Sequence, residues 1–91
     1  MAENVKELRC KASTDSFKLA GSIYSAIKDN EESCTYIKVI GAGALNQAIK
    51  GVIISNRYFA KKGMIAKVYP SFQDVDGNMT AISLKVIPEK L

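Results

Sequence analysis

Between Ile37 and Lys50 a β-branched run, Ile37-Lys38-Val39-Ile40, breaks at Gly41-Ala42-Gly43 and resumes as Ala44-Leu45-Asn46-Gln47-Ala48-Ile49-Lys50 with helical spacing. No other feature constrains the fold as much, because it demands a strand, a tight turn and a helix start in immediate succession. Such a turn aims backbone N–H groups and the positive end of a helix dipole at one spot, which suits a phosphate or another anion. Glycines between a strand and a helix also serve simply to permit the turn. The segment is not a Walker A loop, which needs Lys-Ser/Thr after its last glycine. Nor is it a full dinucleotide fingerprint, since Gln47 stands where the third glycine falls.

The remaining elements follow from periodicity. Leu8, Cys10 and Ala12 alternate with Glu7, Arg9 and Lys11, the pattern of a half-buried strand. Ser13-Thr14-Asp15-Ser16 offers several N-caps. Leu19, Ala20, Ile23, Ala26 and Ile27 then recur at helical spacing up to Asp29-Asn30. The second strand spans Thr35 to Ile40. From about Gly43, a second helix runs to near Tyr58 with Leu45, Ala48, Ile49, Val52 and Ile53 as its apolar face. Gly51, on a small-residue stripe with Ala44, Ala48 and Ser55, is expected to let another backbone approach. Lys61-Lys62-Gly63 reads as a short exposed loop, Met64 to Phe72 as a strand, Asp76-Gly77 as a hairpin turn and Thr80 to Ile87 as an alternating strand. The order is β-α-β-α-β-β, and right-handed crossovers place both helices on one face of a four-stranded mixed sheet. The expected fold is an α/β, α+β two-layer sandwich formed by a single domain over residues 1–91, with the opposite sheet face open to solvent or a partner.

Thirteen Lys and Arg against nine Asp and Glu give a net charge of +4, which favours polyanionic partners. The acids cluster at Asp29, Glu31 and Glu32 and at Asp74 and Asp76, so positive potential concentrates elsewhere. Asp74 and Asp76 lack the further oxygen ligands of a calcium loop, and a hairpin turn explains both. With no histidine and only Cys10 and Cys34, the spacing of a zinc site is missing; no metal and no cofactor is expected. Cys10 is expected to fill core space from a strand and Cys34 to sit in a loop, both as free thiols. No carboxylate pair or activated nucleophile is evident, so the expectation is a non-enzyme. No apolar run is long enough to span a bilayer and the N-terminus has no secretory pattern, so a cytoplasmic location is expected.

The run Ile40 to Lys50 resembles the signature of the stage V sporulation protein S family. The similarity extends over nearly the whole chain, through Leu19-Ala20-Gly21 in the first helix and Phe72-Gln73-Asp74, Asp76-Gly77 and Thr80-Ala81-Ile82 near the end. That family's fold is similar to the Alba superfold of basic, dimeric nucleic-acid-binding proteins. The resemblance therefore implies an Alba-like domain with a developmental role, binding nucleic acid as a homodimer. Alba proteins carry basic residues in the turn before the second helix, whereas Gly41-Ala42-Gly43 is uncharged. Lys11 and Lys18 hold the positions loosely similar to the basic Alba loop.

The leading expectation is a nucleic-acid-binding regulatory protein whose site comprises Lys11, Lys18, Gly41, Ala42, Gly43, Asn46, Gln47, Lys50 and Arg57. Backbone N–H groups, the two amides and the cations would meet phosphate, sugar or base edges of RNA or DNA. Asn46 also suits helix capping and Gln47 simple solvation. Arg57, Tyr58 and Phe59 with Lys61 and Lys62 interleave aromatics and cations as single-strand surfaces do, although such rings also serve cores and interfaces. The alternatives are a protein–protein interaction module in a developmental pathway and a small anionic-ligand sensor at the glycine turn.

Overall fold

The computed structural model describes residues 5–28, 33–74 and 80–91. Six elements follow in the order β1 (Val5–Cys10), α1 (Ser16–Ile27), β2 (Cys34–Val39), α2 (Ala42–Ala60), β3 (Met64–Asp74) and β4 (Thr80–Lys90). The turn at Asp76 and Gly77 and the acids Asp29, Glu31 and Glu32 lie outside the described residues. Asp15 is the N-cap selected from the four candidates before α1. Its carboxylate accepts from the backbone N–H of Phe17 at 2.8 Å and of Lys18 at 3.4 Å.

The sheet has the order β1-β2-β4-β3, with β1 and β2 parallel and both other pairings antiparallel. β1, β2 and β3 thus run the same way and β4 runs back between β2 and β3. Both crossovers step across the sheet in one direction, so equal handedness places α1 and α2 on the same face. Leu19, Ile23 and Ile27 of α1 and Ala44, Ala48, Val52 and Phe59 of α2 pack with Cys10, Ile37, Val39, Leu84, Val86, Met64 and Ala66 of the sheet. The shortest dimension of the molecule, 18 Å, is that of one helix layer on one sheet. Alternation therefore leaves Arg9, Tyr36, Lys38, Lys85, Lys67 and Tyr69 on the uncovered face.

Both prolines in strands sit where a missing N–H costs no ladder bond: Pro70 is on the edge strand β3, and Pro88 lies beyond the stretch of β4 that β2 reaches. The edge strand is tied to α2 by Asn56, whose Oδ1 accepts from the Ala66 N–H at 2.7 Å. The β3–β4 ladder extends past β2 as far as Asp74 and Thr80, and Phe72 on this overhang is 80% exposed.

Three expectations are corrected. Cys34 opens β2 and is buried, paired in register with Val5, because the strand begins one residue before Thr35. On α2, Ile49 and Ile53 are 40% and 58% exposed, whereas Ile54 is buried. The helix is rotated because it packs on α1 as well as the sheet, and its small stripe Ala44, Ala48, Gly51 and Ser55 faces inward. The neighbour at Gly51 is a side chain: a Cβ there would lie 2.7 Å from Leu19 Cδ2. Cys10 fills core space as expected, and both cysteines are free thiols.

Candidate functional site

Parallel strands β1 and β2 end side by side, and a helix starts after each, so both helix N-termini gather at one end of the sheet. The two termini differ. α1 is closed by the Asp15 carboxylate, whereas α2 has Gly41 as N-cap and no side chain caps it. Gly41 adopts φ +95° and ψ 158°, a conformation that strains any residue with a Cβ. The first helical bond runs from the Leu45 N–H to the Gly41 carbonyl, so the preceding N–H groups have no intrahelical acceptor. Gly41, Ala42 and Gly43 are all exposed.

Gly43 brings the loop after β1 against this turn: a Cβ on it would meet Ala12 Cβ at 2.9 Å. Gln47 fixes the same contact, donating from Nε2 to the Thr14 carbonyl at 2.8 Å, while its Oε1 accepts from Asn46 Nδ2 at 3.4 Å. The Gln47 amide thus positions the loop that carries Lys11, and Asn46 stays on the exposed side. The Thr14 hydroxyl accepts from the Lys11 N–H at 2.8 Å, closing the loop.

Lys11, Lys18 and Lys50 are exposed. Lys50 stands on the solvent stripe of α2 with Asn46, about 12 Å along the helix from Ala42. Arg57 lies about 22 Å along the same axis, at the opposite end of the molecule from the turn. The structure groups Arg57 instead with the far ends of the helices. There Tyr24 packs against Tyr58 and Phe59 at centroid distances of 5.5 and 5.0 Å, and Lys28 and Lys62 lie 5.9 and 5.7 Å from its ring. Phe59 is fully buried, so this cluster joins the helices by packing.

Beside the glycine turn the sheet end forms a cavity of about 220 Å³ lined by Arg9, Cys10, Lys11, Lys38 and Ile40. Arg9 and Lys38 are direct cross-strand partners on the open face. Like charges directly opposite each other disfavour the pairing of the strands unless a counter-charge meets them. Among the described residues, neither cation takes part in a salt bridge and no carboxylate lines the cavity. Sequence reasoning passed over Arg9 and Lys38, although alternation alone put both on the polar face. What it lacked was the register that sets them opposite each other. At the cavity floor, burial pushes the Cys10 thiol pKa up, partly offset by the Thr14 hydroxyl. The thiol donates to the Ala44 carbonyl at 3.4 Å and fills space in its neutral form.

Against protein families, the model for stage V sporulation protein S matches residues 6–89 of the 91-residue chain. The chain belongs to the stage V sporulation protein S family. The match takes in the glycine turn, every cation of the cavity and all but the ends of the sheet. Stage V sporulation protein S membership assigns the chain a sporulation-related, regulatory role, and the family is not a known enzyme family. No helix among the described residues is long and apolar enough to cross a membrane.

Proposed function

We propose that this protein is a non-enzymatic, nucleic-acid-binding regulator of sporulation that acts in the cytoplasm. In this reading, nucleic-acid phosphates are held where the uncapped start of α2 meets Lys11, Lys18, Arg9 and Lys38, with Lys50 and Asn46 extending the contact along α2. The observation that carries the reading is the cavity at the ends of β1 and β2, where two cations are cross-strand partners and no carboxylate is among the described lining residues. Cations left without counter-charge gain most from a polyanion, because phosphate contact releases condensed counterions. Arg9 supplies a planar fork for bidentate phosphate bonding, and the lysines supply point charges.

The protein is further proposed to act as a homodimer. The resemblance to dimeric Alba proteins and the exposed Ile49 and Ile53 on α2 support a second copy covering this helix face. A chain of this size gains stability from the added burial. A pairing of two such molecules doubles the number of cationic ends available to one nucleic acid.

Fluorescence anisotropy titration with labelled single-stranded RNA, single-stranded DNA and duplex DNA, at low and physiological salt, tests the binding. Affinity should fall with salt by a log–log slope of about 0.7 to 0.9 per phosphate contact, and Lys50→Glu or Lys38→Glu should lower that slope by about one or more. A slope near one, with inorganic phosphate competing fully, would favour the small anionic-ligand sensor. Absence of binding to all three nucleic acids overturns the proposal in favour of a protein-interaction module.

A further inference from the structure

The sheet face away from the helices carries a pattern that the glycine-turn site does not use. Register sets Tyr36 on β2 opposite Lys85 on β4, and Lys85 opposite Tyr69 on β3. Two aromatic side chains therefore flank one lysine on a single row, about 10 Å apart across two strand spacings. The next row toward the cavity holds Arg9, Lys38, Ser83 and Ser71. Tyr69 is 52% exposed, Lys85 is exposed and Tyr36 is half-buried in the sheet. Among the described residues, acids on this face are confined to its margins: Glu7 ends the row on edge strand β1, and Glu89 pairs with Lys67 at 2.8 Å. Arg9 and Lys38 line the cavity described above, so the aromatic row lies one row away from it, with Lys38 two residues beyond Tyr36 on β2.

Resting on the nucleic-acid reading, we propose that this open face is a platform for single-stranded nucleic acid, with Tyr36 and Tyr69 stacking on bases and Lys85, Lys38 and Arg9 contacting the backbone. The chemistry follows from the pairing of ring and cation. Only unstacked bases offer their π-faces to a tyrosine, whereas duplex bases are stacked on one another. A sheet holds such rings at fixed spacing on a rigid surface, and the neighbouring lysines follow the phosphates between them. The path leads from Tyr69 past Lys85 and Tyr36 to the cavity between Arg9 and Lys38, where the glycine turn takes over. The platform would favour single strands over duplexes without reading a particular base, because every base has a face to stack.

The test is anisotropy titration of a fluorescein-labelled thymidine oligomer, a uridine oligomer and a blunt DNA duplex with the full chain and with Tyr36→Ala, Tyr69→Ala, Tyr69→Phe, Lys85→Ala and Lys50→Glu. Circular dichroism checks that each variant is folded. Each alanine variant at a tyrosine is expected to bind the single strands about 5- to 150-fold more weakly. Tyr69→Phe is expected to keep the wild-type affinity, since stacking needs the ring and not the hydroxyl. Tyr69 is exposed on an edge strand, so its variants carry the test should Tyr36→Ala fail to fold. Wild-type affinity of folded Tyr69→Ala for both oligomers overturns the platform, and if Lys50→Glu is weakened in the same experiment the glycine-turn reading stands. Binding of the duplex alone likewise overturns the platform and spares that reading. No binding of any probe overturns both and leaves the face to a protein partner.

Discussion

At Gly43 the absence of one side chain sets how closely α2 approaches the loop after β1. The obstructing atom, Ala12 Cβ, is fixed to its backbone and cannot rotate away, in contrast to the flexible Leu19 tip near Gly51. Gly43→Ala should therefore destabilise the fold by about 1–3 kcal/mol, as overpacking does. In a domain of this size that is a fall in Tm of roughly 4–8 °C per kcal/mol, readable by thermal denaturation. It should also stretch the bond from Gln47 to Thr14 that holds Lys11 in place. Cys10 makes a pH prediction. Burial raises its pKa in the fold, so the folded protein keeps a proton that the unfolded chain releases. Its contribution is fully present below the ordinary thiol value of about 8.5 and is lost as pH rises from there toward the raised value. Urea midpoints measured across that window should fall more steeply for wild type than for Cys10→Ala; equal slopes would refute the account. Both residues were partly legible in sequence: alternation marked Cys10 as inward-facing, while nothing marked Ala12 as the neighbour of Gly43.

Among the elements, α2 shows most clearly where periodicity succeeds and where it stops. Its existence, its start at the glycine turn and its small-residue stripe all follow from residue spacing. Its orientation does not, because an apolar stripe read against one surface cannot account for a helix that packs on two. Leu45, Ile49 and Ile53 form one acceptable stripe, and the demand of α1 for the Ala48–Gly51 side turned two of them outward. The same rotation aims Asn56 at the edge strand, where its side chain occupies the outward Ala66 N–H. Asn56→Ala should leave that donor without its partner and cost about 1–3 kcal/mol. Hydrogen exchange should show the accompanying loss of protection at Ala66 before any change in β2. An unchanged exchange rate there would mean that the edge is held by its pairing with β4 alone.

On the scale of the whole molecule, an uncovered α2 face and an uncovered sheet face leave two large surfaces on a small fold. If the α2 face is the contact between copies, Ile53→Asp should shift the mass measured by light scattering from dimer to monomer while far-UV circular dichroism stays unchanged. A wild-type monomer at all accessible concentrations would exclude that contact. The sequence by itself determined the order of elements, the side of the sheet taken by the helices and the inward residues of β1 and β4. These follow from local periodicity, turn chemistry and the handedness of crossovers, which act over a few residues at a time. Only the tertiary structure decided that β4 runs between β2 and β3, that Arg9 faces Lys38 and that Tyr36 and Tyr69 flank Lys85. Those are matters of strand order and register between distant segments, and a one-residue slip of the observed pairing would turn the buried Leu84 and Val86 to the other face. For the same reason the glycine turn was visible in the chain from the start, and the cations that surround it came together only in the fold.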